Sequence, residues 1–153
     1  MGDKIDSDDV IQFETVVIRD FRILDQRFTA YASKNGLNNT EVGVLIAIAT
    51  DIKTNLSELS KRVNVSESAV SQAITGLMKK KFIKSESDAK DRRRHFLTPT
   101  NKGDKVVKDF RVHERILIEA LAEAMGPGFM PSVTKLLETA RKYGFTDSDT
   151  KCQ

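Results

Sequence analysis

The stretch from Leu56 to Lys84, LSELSKRVNVSESAVSQAITGLMKKKFIK, constrains the fold more than any other part of the chain. Leu56, Leu59 and Val63 recur at the three- and four-residue spacing of a helix with one apolar side, and Val70, Ile74, Leu77 and Met78 repeat the pattern. Asn64, Val65 and Ser66 between them form a tight turn. Ser66 suits the N-cap of the second helix, and Glu67 in its first turn is favoured by the helix dipole. Two helices this short, joined by three residues, make a helix-turn-helix, whose second member is shaped to enter the DNA major groove.

The runs KFIKSE and RRHFLT follow, strand-like and separated by the polar loop SDAKDR. This hairpin is a wing with arginines at its tip. Thr98 before Pro99 reads as a cap and a first-turn proline, which predicts a helix from there to about Met125 with Val106, Phe110, Leu117, Leu121 and Met125 on one side. Gly126-Pro127-Gly128 ends it, and a last helix over about 129–143 turns Val133, Leu136, Leu137 and Ala140 inward.

Upstream, Val10, Val17, Leu24 and Tyr31 recur every seven residues, with Phe13, Phe21 and Phe28 between them. That pattern predicts a long helix whose narrow apolar seam requires a partner, ended by Asn35-Gly36. NNTEVGVLIAIATDI then reads as a further helix, capped by Asn39 or Thr40, with Val42, Leu45, Ile46 and Ala49 on its buried face. The fold class expected is mainly α with a small β-wing.

The longest apolar run, VGVLIAIA at 42–49, falls well short of the roughly 18 residues of a membrane span. The N-terminal MGDKIDSDD lacks the order of a signal peptide, so a cytoplasmic protein is expected. Cys152 is the single cysteine, which leaves no internal disulfide and no cysteine-based metal site within one chain.

Net charge is +3, but it is unevenly spread. Between Leu56 and Lys105 there are twelve Lys or Arg against six Asp or Glu, so this segment carries +6 and the remainder −3. A basic middle flanked by acidic ends is an electrostatic footprint for nucleic acid, although a charge run by itself is also what a solvated surface looks like.

LSELSKRVNVSESAVSQAITGLMKKKFI, DRRRHFLTPTNKG and the order of helices around them resemble the MarR (multiple antibiotic resistance regulator) family of bacterial repressors. Within the hairpin, Asp91, Arg93, Leu97, Thr98 and Gly103 carry the likeness. Two positions depart from it: Lys81 stands where the family often has Gly, and Ser60 where a small Ala usually packs. The resemblance implies a homodimeric winged helix-turn-helix regulator, with residues 36–98 as the DNA-binding lobe and 1–35 together with 99–153 as the dimerisation region. It also implies regulation by a small, often aromatic or acyl, ligand.

On that reading Arg93 is the minor-groove reader, Asp91 holds it by a charge-assisted pair, and Arg92 and Arg94 meet phosphates. On the second helix Gln72 is the best base reader, since Gln can grip adenine with a paired donor and acceptor; Ser68, Ser71 and Thr75 follow. Ser66, Lys79 and Lys80 are expected on phosphates. The dimer interface is expected to include Val10, Phe13, Val17, Phe21, Leu24, Leu117, Leu121, Leu136 and Leu137. His113 has two readings, a dimer-face residue or a lining of the ligand pocket, while His95 packs or faces solvent. Two histidines and scattered carboxylates do not compose a zinc site. No Gly-rich phosphate loop or nucleophile elbow is present, so the chain is not expected to be an enzyme or to need a cofactor. Its partners are then double-stranded DNA, a second copy of itself and a small apolar or aromatic effector, with no membrane. The rivals are a winged-helix module that binds protein, or a metal- or redox-responsive regulator of the same fold.

Overall fold

The computed structural model of the chain describes residues 5–16, 21–51, 55–87 and 95–143. The elements run α1 (Ser7–Thr15), α2 (Phe21–Lys34), α3 (Asn39–Thr50), α4 (Leu56–Val63), α5 (Glu67–Lys79), β1 (Ile83–Ser87), β2 (His95–Pro99), α6 (Asn101–Met125) and α7 (Phe129–Tyr143). This is the mainly helical fold with a two-stranded wing that the sequence predicts. The chain forms two compact units, one ending at Phe110 and the other beginning at Arg111. No helix among the described residues is long and apolar enough to cross a membrane.

The first unit is built around α3, which packs on α2, α4, α5 and β2. Val42, Val44, Leu45, Ala47 and Ile48 of α3 are all buried, and Ile46 and Ala49 are half-buried. The expected one-sided face of Val42, Leu45, Ile46 and Ala49 is therefore too narrow, because a helix enclosed by neighbours on most sides has no solvent stripe to set a period. Leu59 from α4, Val70 and Leu77 from α5 and Val106 and Val107 from α6 complete this core with Phe82 and Ile83. Each fully buried Val or Leu contributes about 1.5–3 kcal/mol relative to exposure. Tyr31 and Phe28 fasten α2 to α6: the Tyr31 hydroxyl donates to the Val106 carbonyl at 2.6 Å, and the Phe28 ring meets Phe110 edge-on at 5.5 Å.

The helix starts differ from expectation at two points. Asn38, not Asn39 or Thr40, caps α3, with its side chain accepting from the Glu41 amide while the Glu41 carboxylate accepts from the Asn38 amide, both at 2.9 Å. This reciprocal pair is a capping box. Thr98 does not begin α6: it lies in β2 opposite Lys84, with Pro99 opposite Ile83 at the end of the ladder. The cap is Thr100, whose hydroxyl accepts from the Gly103 amide at 3.2 Å. Pro is tolerated at a strand end, where a missing N–H costs no ladder bond.

The long N-terminal helix is described as α1 and α2; Val17 lies outside the described residues. Of the proposed seam, Val10, Phe13 and Leu24 are 47%, 61% and 43% exposed in the single chain, whereas Phe28 and Tyr31 are half-buried against the core. In the second unit Phe129 is buried and Val133 half-buried, but Leu136, Leu137 and Ala140, expected inward, are exposed.

Candidate nucleic-acid interface

The turn between α4 and α5 takes the form its residues predict. Asn64 adopts the left-handed conformation (φ 57°), which Asn tolerates better than most residues, and ends α4. The Ser66 side chain then accepts from the Ala69 amide at 3.2 Å and starts α5. Asn55 and Glu58 form a second capping box at the start of α4.

Val70, Ala73 and Leu77 turn the inner side of α5 into the core with Ile74 half-buried beside them, whereas Met78, also expected inward, is 43% exposed. Leu56, likewise expected inward, is exposed at the start of α4. The outer side of α5 presents Ser68, Ser71, Gln72, Thr75 and Lys79, all exposed. These positions recur at helical spacing and form one polar row rich in donors and acceptors. Within the row, Thr75 Oγ1 donates to the Ser71 carbonyl at 3.0 Å, which fixes its rotamer and leaves its lone pairs outward.

Lys80 differs from the row. Its ammonium, expected on phosphate, donates to both oxygens of Glu41 at 2.8 and 2.7 Å. Lys81 takes φ 61°, the left-handed conformation that favours Gly. The Lys81 amide then bonds the Met78 carbonyl at 3.0 Å and the Phe82 amide the Leu77 carbonyl at 2.9 Å, a Schellman closure that turns the chain directly into β1.

The wing pairs Ile83 with Pro99 through Ser87 with His95 in antiparallel register. Lys84 and Glu86, two residues apart, form an exposed ion pair that holds the Glu86 carboxyl below the usual carboxylate range. Asp91, Arg92, Arg93 and Arg94 of the wing tip lie outside the described residues.

Behind α4 the first unit contains a cleft of about 560 Å³ with Phe28, Ile46, Val63 and Phe110 among its apolar walls and Asp25 and Arg62 among its charged ones. Arg62 is paired with Asp51 at 3.0 Å. His113 does not line this cleft; it is exposed in the second unit. Among the described residues no group of three or more His, Cys, Asp or Glu is placed to hold a metal ion.

The sequence reading missed Glu41 and Lys102. Asn38-x-x-Glu41 is itself a capping-box signature, but the tie to Lys80 crosses 39 residues and has no local signal.

Residues 37–95 match the model of the MarR family. Transcriptional regulator AdcR of Streptococcus pneumoniae is 29% identical over 108 residues, 69% of this chain and 73% of that protein. A MarR protein from Peptoclostridium difficile has a similar structure, with a TM-score of 0.65 at 25% identity, over 93% of this chain and 90% of that one. The fold also matches Streptococcus pneumoniae FabT, whose structure is a complex with DNA, with a TM-score of 0.68 at 17% identity over 90% and 96% of the two chains.

Proposed function

We propose that this chain is a transcriptional regulator of the MarR family that acts as a homodimeric repressor, reads a pseudopalindromic operator and releases it on binding a small molecule. The observation that carries the reading is the outer row of α5. A helix held on its inner side by Val70, Ala73 and Leu77 presents Ser68, Ser71, Gln72, Thr75 and Lys79 outward on a rigid support. Gln72 reads a base, Ser68, Ser71 and Thr75 bond bases or phosphates, and Ser66 and Lys79, at opposite ends of α5, meet phosphates. Arg93 enters the minor groove, held by Asp91 and flanked by Arg92 and Arg94 on phosphates.

Residues 36–98 serve as the DNA-binding lobe, and 1–35 with 99–153 as the dimerisation region. The exposed apolar side chains support this assignment: Val10, Phe13 and Leu24 near the N-terminus, and Leu121, Leu136 and Leu137 toward the C-terminus, lie 36–61% uncovered in the single chain. A second copy covers them, along with Val17, Phe21 and the half-buried Leu117. Two copies related by a two-fold axis present α5 to successive major grooves. The effector occupies the cleft behind α4, where apolar walls and the Arg62 guanidinium suit a small aromatic or acyl group.

The test is binding of the purified chain to labelled DNA from upstream of its own gene, against random competitor, across a salt series. Retention under competitor with a steep salt slope supports the reading. Binding indistinguishable from random duplex on every fragment tried assigns the lobe to a protein partner instead.

A further inference from the structure

We propose that Glu41 and Lys80 form a latch that sets the angle of α5 against α3, which makes Glu41 a positioning residue for DNA recognition. The proposal rests on the reading of α5 as the DNA-reading helix.

Glu41 is the buried charged residue of the described core, its side chain 5% exposed. Burying a carboxylate is costly unless it is paired and hydrogen-bonded. The capping of α3 does not account for the charge, because a neutral Gln serves a capping box equally well. Lys80 accounts for it: its ammonium bridges both carboxylate oxygens, while Oε2 also accepts from the Asn38 amide.

Gly76 supplies an independent sign that this contact is built in. Gly is the weakest helix former short of Pro, yet it stands in the middle of α5. A Cβ there would lie 2.3 Å from Glu41 Oε1, so a larger residue evicts the carboxylate. The other side of the same junction is also held. The Lys80 carbonyl accepts from Lys102 Nζ at 3.1 Å, and Lys102 lies 4.0 Å over the Phe82 ring.

The latch grips α5 at its C-terminal end, whereas the reading residues extend toward its N-terminus. Ser68 is twelve residues from Lys80, roughly 18 Å along a helix, so a tilt of about 10° at the latch moves Ser68 by about 3 Å. That is a full hydrogen-bond length, enough to uncouple side chains from base edges. Lys80 therefore acts on recognition through Glu41 and is withdrawn from phosphate.

The test uses the full chain and the duplex it selects from a random-sequence pool. Glu41→Gln, which keeps the cap, and Lys80→Met are each expected to weaken binding to that duplex at least fivefold while leaving random-duplex binding and the log–log salt slope unchanged. The double variant is expected to be no worse than the weaker single, as for one shared interaction. Binding by Glu41→Gln within twofold of wild type overturns the latch. So does a fall of about 2 in the salt slope of a Lys80→Met dimer, the signature of one lost phosphate contact per subunit.

Hydrogen exchange separates this proposal from the DNA reading beneath it. Amides at 76–82 in Glu41→Gln are expected to exchange at least tenfold faster while those at 42–48 keep their protection. Unchanged exchange at 76–82 refutes the latch whether or not the wild-type chain selects a sequence; failure of the wild type to select any sequence refutes the DNA reading alone.

Discussion

Gly103→Ala is expected to destabilise the protein even though Ala is the better helix former. Gly103 lies in the first turn of α6, where the helix start crosses the end of the α5 turn. A Cβ at this position falls 2.1 Å from the Phe82 carbonyl oxygen and 3.3 Å from Leu45 Cδ1. Relief to the roughly 3.3 Å of the closest ordinary carbon–oxygen contacts requires a shift of about 1.2 Å. Phe82 cannot retreat, because its amide closes α5 and its carbonyl accepts from the Thr100 amide at 2.9 Å. The start of α6 must move instead and lose that bond. Overpacking costs about 1–3 kcal/mol and the lost hydrogen bond about 0.5–1.5, against a gain of about 1 from helix propensity. The net is a loss of about 2 kcal/mol, which for a chain of this size lowers Tm by roughly 4–8 °C. Circular dichroism melts of both proteins at one fixed concentration measure it. A variant that melts at or above the wild-type temperature would refute the close packing of α6 on the wing root.

Lys81→Gly is expected to act in the opposite direction, raising Tm by about 2 °C. The left-handed φ of 61° costs an L-residue roughly 1–2 kcal/mol, and the flexibility of Gly returns only about half of that, so a lower Tm would contradict the turn geometry. Gln72→Ala should weaken binding to the selected duplex by about 1–3 kcal/mol and relax the base preference at one position per half-site. An unchanged preference removes Gln72 as a base reader. Arg93→Ala should cost a similar amount with the dimer intact, and unchanged affinity in the folded variant removes it from the mechanism. Leu24→Asp places a charge in the proposed seam, so sedimentation should find monomer at concentrations where the wild type is dimeric; a normal dimer would misplace the interface.

The helix-turn-helix and wing were legible because their signals are local. Alternating and helical spacings fix the elements, and Asn64 to Ser66 has the residues a tight turn and an N-cap require. What was not legible depends on three-dimensional surroundings. Three consecutive residues, Asn38, Asn39 and Thr40, all suit an N-cap, and only the answering carboxylate of Glu41 selects Asn38. Thr98-Pro99 has the chemistry of a helix start, yet pairing with β1 holds it extended and passes the cap to Thr100. The burial of α3 on most sides erases the period from which a face is read. Lys80 looks like any surface lysine beside Lys79 and Lys81 until Glu41 is brought to it by the packing of α3 on α5. The exposed row of α5 was readable for the converse reason: residues that do not pack into the core are assigned by elimination once the inward positions are known.

Selection of bound duplexes from a random-sequence pool, followed by sequencing, tests the central claim most directly. The account predicts one enriched motif of two inverted half-sites with centres about 10–10.5 base pairs apart, each including a position that Gln72→Ala makes indifferent. A pool that returns no enriched sequence, or a single half-site without its inverted copy, would contradict it.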